Sequence, residues 1–141
     1  MLVALITTGL AFSGVHTAMT AFAADVVIVC NKNVPEDSLS KGEVKNIFLG
    51  KKTRWRNDEK IIFVISEASE AHKTFLKEYI GKNAFQYANY WKKQVFTGKG
   101  KPPKSFGTEE SLLDYVSDTE GAIGYLPSEA PGNTVKTIPI N

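Results

Sequence analysis

The sequence predicts an α/β fold in which a mixed, largely parallel sheet is flanked by helices. Short runs of valine and isoleucine alternate along the chain with segments whose apolar residues recur at helical spacing. Serine, asparagine or threonine precedes each helical segment as a candidate N-cap, and glycines follow two of them. Roughly 117 residues remain after the first 24, which is enough for one compact domain with one core.

The elements follow from this pattern in chain order. The first half is expected to contain a buried strand over 25–31, a helix capped by Ser40 and closed by Gly50, a strand over 61–65, and a helix from Ser69 that stops at Gly81. The second half is expected to contain a helix capped by Asn83, a loop over 97–107, a helix over 108–117 capped by Thr108, and strands over 122–126 and 135–140.

The start of the chain has the pattern of a secretory signal peptide. Residues 2–24 carry no charge, whereas all seventeen lysines and arginines lie from Lys32 onward. An A-x-A cleavage pattern at 21–23 stands just before Asp25. We therefore expect a signal peptide over 1–24 and a mature domain over 25–141 in the periplasm, with a retained membrane anchor as the alternative. Cys30 lies within the first strand rather than directly after the cleavage site, so a lipoprotein is not expected.

Composition excludes several classes of function. A net charge of +2, with both signs mixed, does not indicate a nucleic-acid partner. The lone cysteine cannot form an internal disulfide and is interpreted as a small core residue. Neither a metal site nor a cofactor is expected, and no nucleophile–base constellation, phosphate loop or dinucleotide fingerprint indicates an enzyme.

Two segments together carry a family resemblance. One is Ile47-Phe48-Leu49-Gly50-Lys51 followed by Trp55, and the other is Gly121-Ala122-Ile123-Gly124-Tyr125. In this order they resemble the phosphate-binding proteins of ABC transporters, which have the periplasmic-binding-protein type II fold. The resemblance runs from about residue 27 to 126 and implies one lobe of that two-lobed fold. It also implies a solute-binding function rather than catalysis.

The candidate ligand site is the turn between the second strand and the following helix. The resembling family reads R-x-D-x-S-G-T here and contacts phosphate with this turn. In this chain Glu67 falls at the aspartate and Ser69 at the serine, while Ile65, Glu70 and Ala71 replace the arginine, glycine and threonine. Ser66, Glu67 and Ser69 are therefore the first candidates for an oxyanion site. The alternative is a purely structural helix start, with Ser69 as the cap and the two glutamates as N-terminal acids.

Two further features are candidate anion contacts. Gly107 and Thr108 precede a helix and could present N–H and hydroxyl groups to an oxyanion, although an ordinary N-cap is the simpler interpretation. His72 could donate to an anion, but a surface or half-buried helix residue is the simpler interpretation.

The function implied by the resemblance is capture of phosphate or a related oxyanion outside the cytoplasm and its delivery to an ABC permease. The alternative is a cell-envelope interaction module that kept the fold without the ligand. Its partner protein would dock on the basic loops, including Lys99, Lys101 and Lys104. A homodimer in which two lobes form one cleft is a further possibility.

Overall fold

A computed structural model of the protein describes residues 26–141. The predicted signal peptide lies outside these residues. One sheet has the strand order β3-β2-β4-β1-β5, and its strands are β1 (Val27–Cys30), β2 (Ile62–Ile65), β3 (Lys104–Ser105), β4 (Ala122–Leu126) and β5 (Lys136–Thr137).

Strand directions confirm the mixed, largely parallel sheet. β2 pairs in parallel with both β3 and β4. β1 is antiparallel to its neighbours β4 and β5. All strands except β1 therefore run in one direction, and the carboxyl ends of β2, β3 and β4 meet at the same edge.

Four α-helices of the described residues pack against the sheet: α1 (Lys41–Phe48), α2 (Glu70–Phe75), α3 (Ala84–Phe96) and α4 (Glu109–Asp118). The predicted caps Ser40, Ser69, Asn83 and Thr108 are confirmed, because each side chain accepts a hydrogen bond from the backbone N–H three residues later. A π-helical turn over Leu76–Ile80 continues α2 to the predicted stop at Gly81. The part of the chain that the structure describes contains no helix with the length and apolar character needed to cross a membrane.

The predicted loop over 97–107 is partly wrong, because β3 lies inside it. Lys104 and Ser105 pair with Val64 and Ile65 of β2. Two residues after a pair of prolines are too few to show a strand period. The first and last strands are also shorter than predicted, since β1 covers Val27–Cys30 and β5 only Lys136–Thr137.

The sheet is covered on both faces. One cluster packs α1, α2 and α3 against the sheet, and Phe48, Phe75 and Tyr125 contact one another within it. A second cluster packs Leu112 and Val116 of α4 against the other face. Cys30 is fully buried, as predicted for a core residue, and burial raises the pKa of its thiol to about 11.

The two segments that carry the resemblance contact each other. The indole Nε1 of Trp55 donates to the carbonyl of Gly121 at 3.0 Å in the interior. Gly121 has a φ of +76°, and a Cβ there would lie 2.3 Å from the carbonyl oxygen of Lys60. Glycine at 121 is therefore required by both its backbone conformation and the close approach of the neighbouring chain.

Candidate functional site

The candidate turn lies where ligands bind in open α/β sheets. Residues 66–69 connect the carboxyl end of β2 to α2, and β2 has a parallel neighbour on each side. Sites beyond the carboxyl ends of parallel strands are typical of this architecture. The turn is therefore at the edge of the sheet where a ligand site is expected.

Ser66 anchors the turn to the core. It is buried, and its backbone N–H donates to the hydroxyl of Tyr125 at 3.0 Å. Its own hydroxyl donates to the carbonyl of Phe106 at 3.2 Å. Both donors of Ser66 are thus engaged within the protein.

Ser69 is the N-cap of α2. Its Oγ accepts from the N–H of His72 at 3.2 Å and donates to the carbonyl of Ser66 at 2.8 Å. The carboxylate of Glu70 lies 3.2 Å from the Nζ of Lys73, with both side chains exposed to solvent. The structural interpretation of Ser69 as a cap is confirmed, and Glu70 is turned toward a lysine of the next helical turn.

Three backbone donors of the turn remain open. Among residues 26–141, the N–H groups of Ala68, Glu70 and Ala71 have no hydrogen-bond acceptor. They belong to the end of the turn and the first turn of the helix, where unpaired N–H groups favour negative charge. The hydroxyls of Ser66 and Ser69 are already bonded within the protein. The donors that stay available to an anion at this turn are therefore these three backbone N–H groups.

The structure brings the two predicted segments together. The N–H of Phe106 donates to the carbonyl of Ile65 at 2.9 Å, and the N–H of Glu67 donates to Ser105 Oγ at 3.3 Å. Gly107 follows directly and is exposed. Thr108 caps α4 through a 3.1 Å bond from the N–H of Ser111. All five predicted site residues thus lie on two adjoining segments.

Tyr125 is the residue that sequence reasoning missed. Its hydroxyl accepts from Ser66 and lies 2.5 Å from Nδ1 of His72. The parallel register pairs Phe63 with Ile123, which brings Tyr125 level with the end of β2. Tyr125 is the last residue of the segment over 121–125. Its position beside the turn follows only once β2 and β4 are known to be neighbours.

His72 belongs to the core rather than the surface. Its side chain is 2% exposed, so the interpretation as a surface or half-buried residue is wrong. Burial lowers the pKa of its imidazole below the ordinary value of 6.5. The ring is therefore neutral at pH 7, and it offers an anion no positive charge.

An apolar groove of about 690 Å³ opens beside the turn. Its lining comes from the end of β2, the turn, α2, α3 and the segment before β3, and includes Ile65, Glu67, Tyr87, Trp91, Pro102 and Pro103. Phe96, at the end of α3, also lines the groove and is 93% exposed. This groove was not predicted, because its lining comes from segments that are distant in sequence.

Comparisons with known proteins agree with the fold. The model of the PBP superfamily domain matches residues 15–137. No curated protein matches the sequence. An ABC-type phosphate transport receptor from Vibrio cholerae has a similar structure, with a TM-score of 0.53 and 19% identity over 82% of this chain and 45% of the receptor. PstS from Borrelia burgdorferi has a TM-score of 0.55 and 11% identity over 82% of this chain and 47% of PstS. The chain thus spans less than half the length of either structure, and the likeness concerns the fold alone.

Proposed function

This chain belongs to the PBP superfamily, and on that premise we propose that it binds phosphate or a related oxyanion outside the cytoplasm for delivery to an ABC permease. The Vibrio protein named above is a phosphate transport receptor, and this supports the choice of solute. The observation that carries the proposal is the junction of the two candidate segments at the carboxyl ends of parallel strands, with three open N–H groups beside it.

Each candidate residue has a distinct role in this proposal. The Ser69 hydroxyl turns its proton from the Ser66 carbonyl toward the anion, while Ser66 holds the turn in place. Gly107 leaves space, and its backbone N–H, with the hydroxyl of Thr108, completes the contact from the adjoining segment. These are proposed contacts, and the open N–H groups of Ala68, Glu70 and Ala71 support them.

We expect Glu67 to make the site selective among oxyanions. A carboxylate can accept a hydrogen bond from an oxyanion only if that anion still carries a proton, because ionised carboxylates are acceptors alone. Hydrogen phosphate and hydrogen arsenate bring such a proton at neutral pH, whereas sulfate does not. We therefore expect phosphate and arsenate to bind and sulfate to be rejected, and we expect Glu67→Gln to reduce that discrimination.

The absence of the family's arginine lowers the expected affinity for the oxyanion. Ile65 stands at that position, so a charge-assisted hydrogen bond worth roughly 1.5–3 kcal/mol is missing. We expect weaker binding than a site with the arginine would give.

Thermal unfolding against phosphate, arsenate, molybdate and sulfate tests the proposal. A ligand that binds only the folded state raises the melting temperature with its concentration. Ser69→Ala should abolish the phosphate-dependent rise. Ser40→Ala is its matched control, because it removes the equivalent cap from α1 and leaves the turn intact. A flat response to every anion in the wild-type protein would contradict the proposal.

The alternative function, an envelope interaction module, draws support from the basic segment after α3. Lys99 and Lys101 are exposed and form no ion pair with any residue in 26–141. If the alternative is right, capture of a partner from envelope extract should fail for a variant with Lys99, Lys101 and Lys104 all changed to Gln. Sedimentation of the wild-type protein, with and without phosphate, tests the alternative of a homodimer in which two lobes form one cleft.

A further inference from the structure

The apolar groove beside the turn has the dimensions of a small-molecule site. Its volume of about 690 Å³ lies within the range of roughly 300–1,000 Å³ that is usual for ligand pockets. Tyr87, Trp91 and Val95 of α3 contribute apolar surface, and Pro102 and Pro103 add more from the segment before β3. Such a lining favours a ligand with an apolar body.

The charge around the groove favours an anionic ligand. Residues 79–108, which supply most of the lining, contain six lysines and neither aspartate nor glutamate. Lys92 lines the groove itself and forms no ion pair with another residue in the described part of the chain. A negative group on the ligand would give this ammonium group the partner that it lacks.

Two polar side chains of the lining form hydrogen bonds within the protein. The hydroxyl of Tyr87 donates to the carbonyl of Phe48 at 2.7 Å, and Nδ1 of His72 contacts the hydroxyl of Tyr125. Burial raises the pKa of Tyr87, and the neighbouring Trp91 offsets part of that rise. The buried indole N–H of Trp91 nevertheless makes no hydrogen bond of normal geometry within residues 26–141.

Glu67 determines the orientation of the ligand. It is the carboxylate among the lining residues and belongs to the turn, whereas Lys92 belongs to α3. Like charges repel, so an anionic head group avoids Glu67 and pairs with Lys92. The apolar body then lies along α3 and the two prolines.

We propose that this groove binds a small amphiphilic organic anion, with its head group at Lys92 and its apolar body against Trp91 and Val95. A monomeric ligand is favoured over a membrane surface because the apolar lining is concave, and concave apolar sites suit small molecules. Glu67 borders both sites, but the proposed contacts with Lys92, Trp91 and Val95 are separate from those of the oxyanion turn, so this site and the proposed function can fail separately.

The test is a titration with decanoate below its micelle-forming concentration, followed by tryptophan fluorescence. Trp91 lines the groove, while Trp55 is buried and bonded to Gly121, so Trp91→Phe should remove the signal. We expect a saturable change with decanoate. Acetate, which lacks the apolar body, should give none, and the uncharged decanol should bind several-fold more weakly. Excess inorganic phosphate should not compete.

Matched variants locate the site. Lys92→Gln should weaken decanoate binding about fivefold, whereas Lys93→Gln, on the next residue and outside the lining, should leave it unchanged. Ala88→Glu introduces a carboxylate into the lining and should weaken binding at least about tenfold. Asn89→Glu is its control, because Asn89 is exposed and does not line the groove. Glu67→Gln should cause no loss.

Three outcomes would overturn the inference. The first is decanoate binding that the Lys92 and Ala88 variants leave unchanged. The second is displacement by inorganic phosphate, which would locate decanoate at the turn and leave the proposed function standing. The third is co-sedimentation with phosphatidylglycerol vesicles by a protein that does not respond to monomeric decanoate, which would identify a membrane contact instead.

Discussion

The hydroxyl of Tyr125 accepts a hydrogen bond from the backbone N–H of Ser66 at 3.0 Å, fifty-nine positions earlier in the chain. This bond attaches the strand of the GAIGY segment to the turn that follows β2. It holds the turn from the core side, and it also occupies the N–H of Ser66. Any oxyanion at the turn must therefore use the open N–H groups further along.

Removing this hydroxyl should destabilise the fold. In Tyr125→Phe the N–H of Ser66 loses its acceptor in the interior, and an unsatisfied buried donor costs about 1–3 kcal/mol. Urea denaturation measures the change in unfolding free energy. Tyr115→Phe is the control, because the hydroxyl of Tyr115 makes no hydrogen bond within the described residues. Equal, small effects of both substitutions would contradict the role assigned to Tyr125.

Gly121→Ala should be more harmful than the same substitution at another glycine of similar conformation. Gly98 has a φ of +71° with nothing within 4 Å of an added Cβ, whereas at Gly121 the added atom would lie 2.3 Å from the Lys60 carbonyl. Both variants incur the left-handed backbone cost of about 1–2 kcal/mol, and Gly121→Ala should lose roughly 1–3 kcal/mol more from overpacking. Denaturation midpoints that coincide for the two variants would show that the close approach is unimportant.

Acid should destabilise the protein through His72. Burial lowers the folded-state pKa of His72 below its ordinary value of 6.5, so the unfolded chain binds the proton more readily. Stability should be constant with respect to this group above about pH 6.5 and fall as the pH drops below it. Unfolding free energies measured from pH 7.5 to 5 in the wild type and in His72→Gln provide the test. A pH dependence that is equally steep in the variant would assign the effect to other groups.

Cys30 should be unreactive in the folded protein. Its side chain is fully buried, and burial raises the pKa of the thiol to about 11. Because the thiolate is the reacting species, a thiol reagent at pH 8 should label Cys30 only after denaturant is added. Stoichiometric labelling in native buffer would show that the strand opens or that the thiol is accessible.

Local chemistry made the helices predictable. Ser40, Asn83 and Thr108 cap helices in the structure because a short polar side chain bonds to an N–H three residues away, a relationship contained within the sequence itself. The segment β3 was not predictable in this way. Its two residues form a strand only because β2 lies beside them.

The position of the candidate turn was predictable, but the backbone donors that stay open in it were not. The carboxyl end of a buried strand identified Ser66 and Glu67. Their backbone N–H groups are bonded to Tyr125 and Ser105, and this depends on how β2 is placed beside β4 and β3. The pairing of strands that are distant in sequence therefore determines which N–H groups remain available to a ligand. The local sequence pattern does not show that pairing.

Equilibrium dialysis with radiolabelled phosphate, in the presence and absence of excess sulfate, tests the central claim most directly. The account predicts saturable retention of one phosphate per chain, unaffected by sulfate, lost in Ser69→Ala and kept in Ser40→Ala. Equal phosphate concentrations on both sides of the membrane throughout the titration would contradict it.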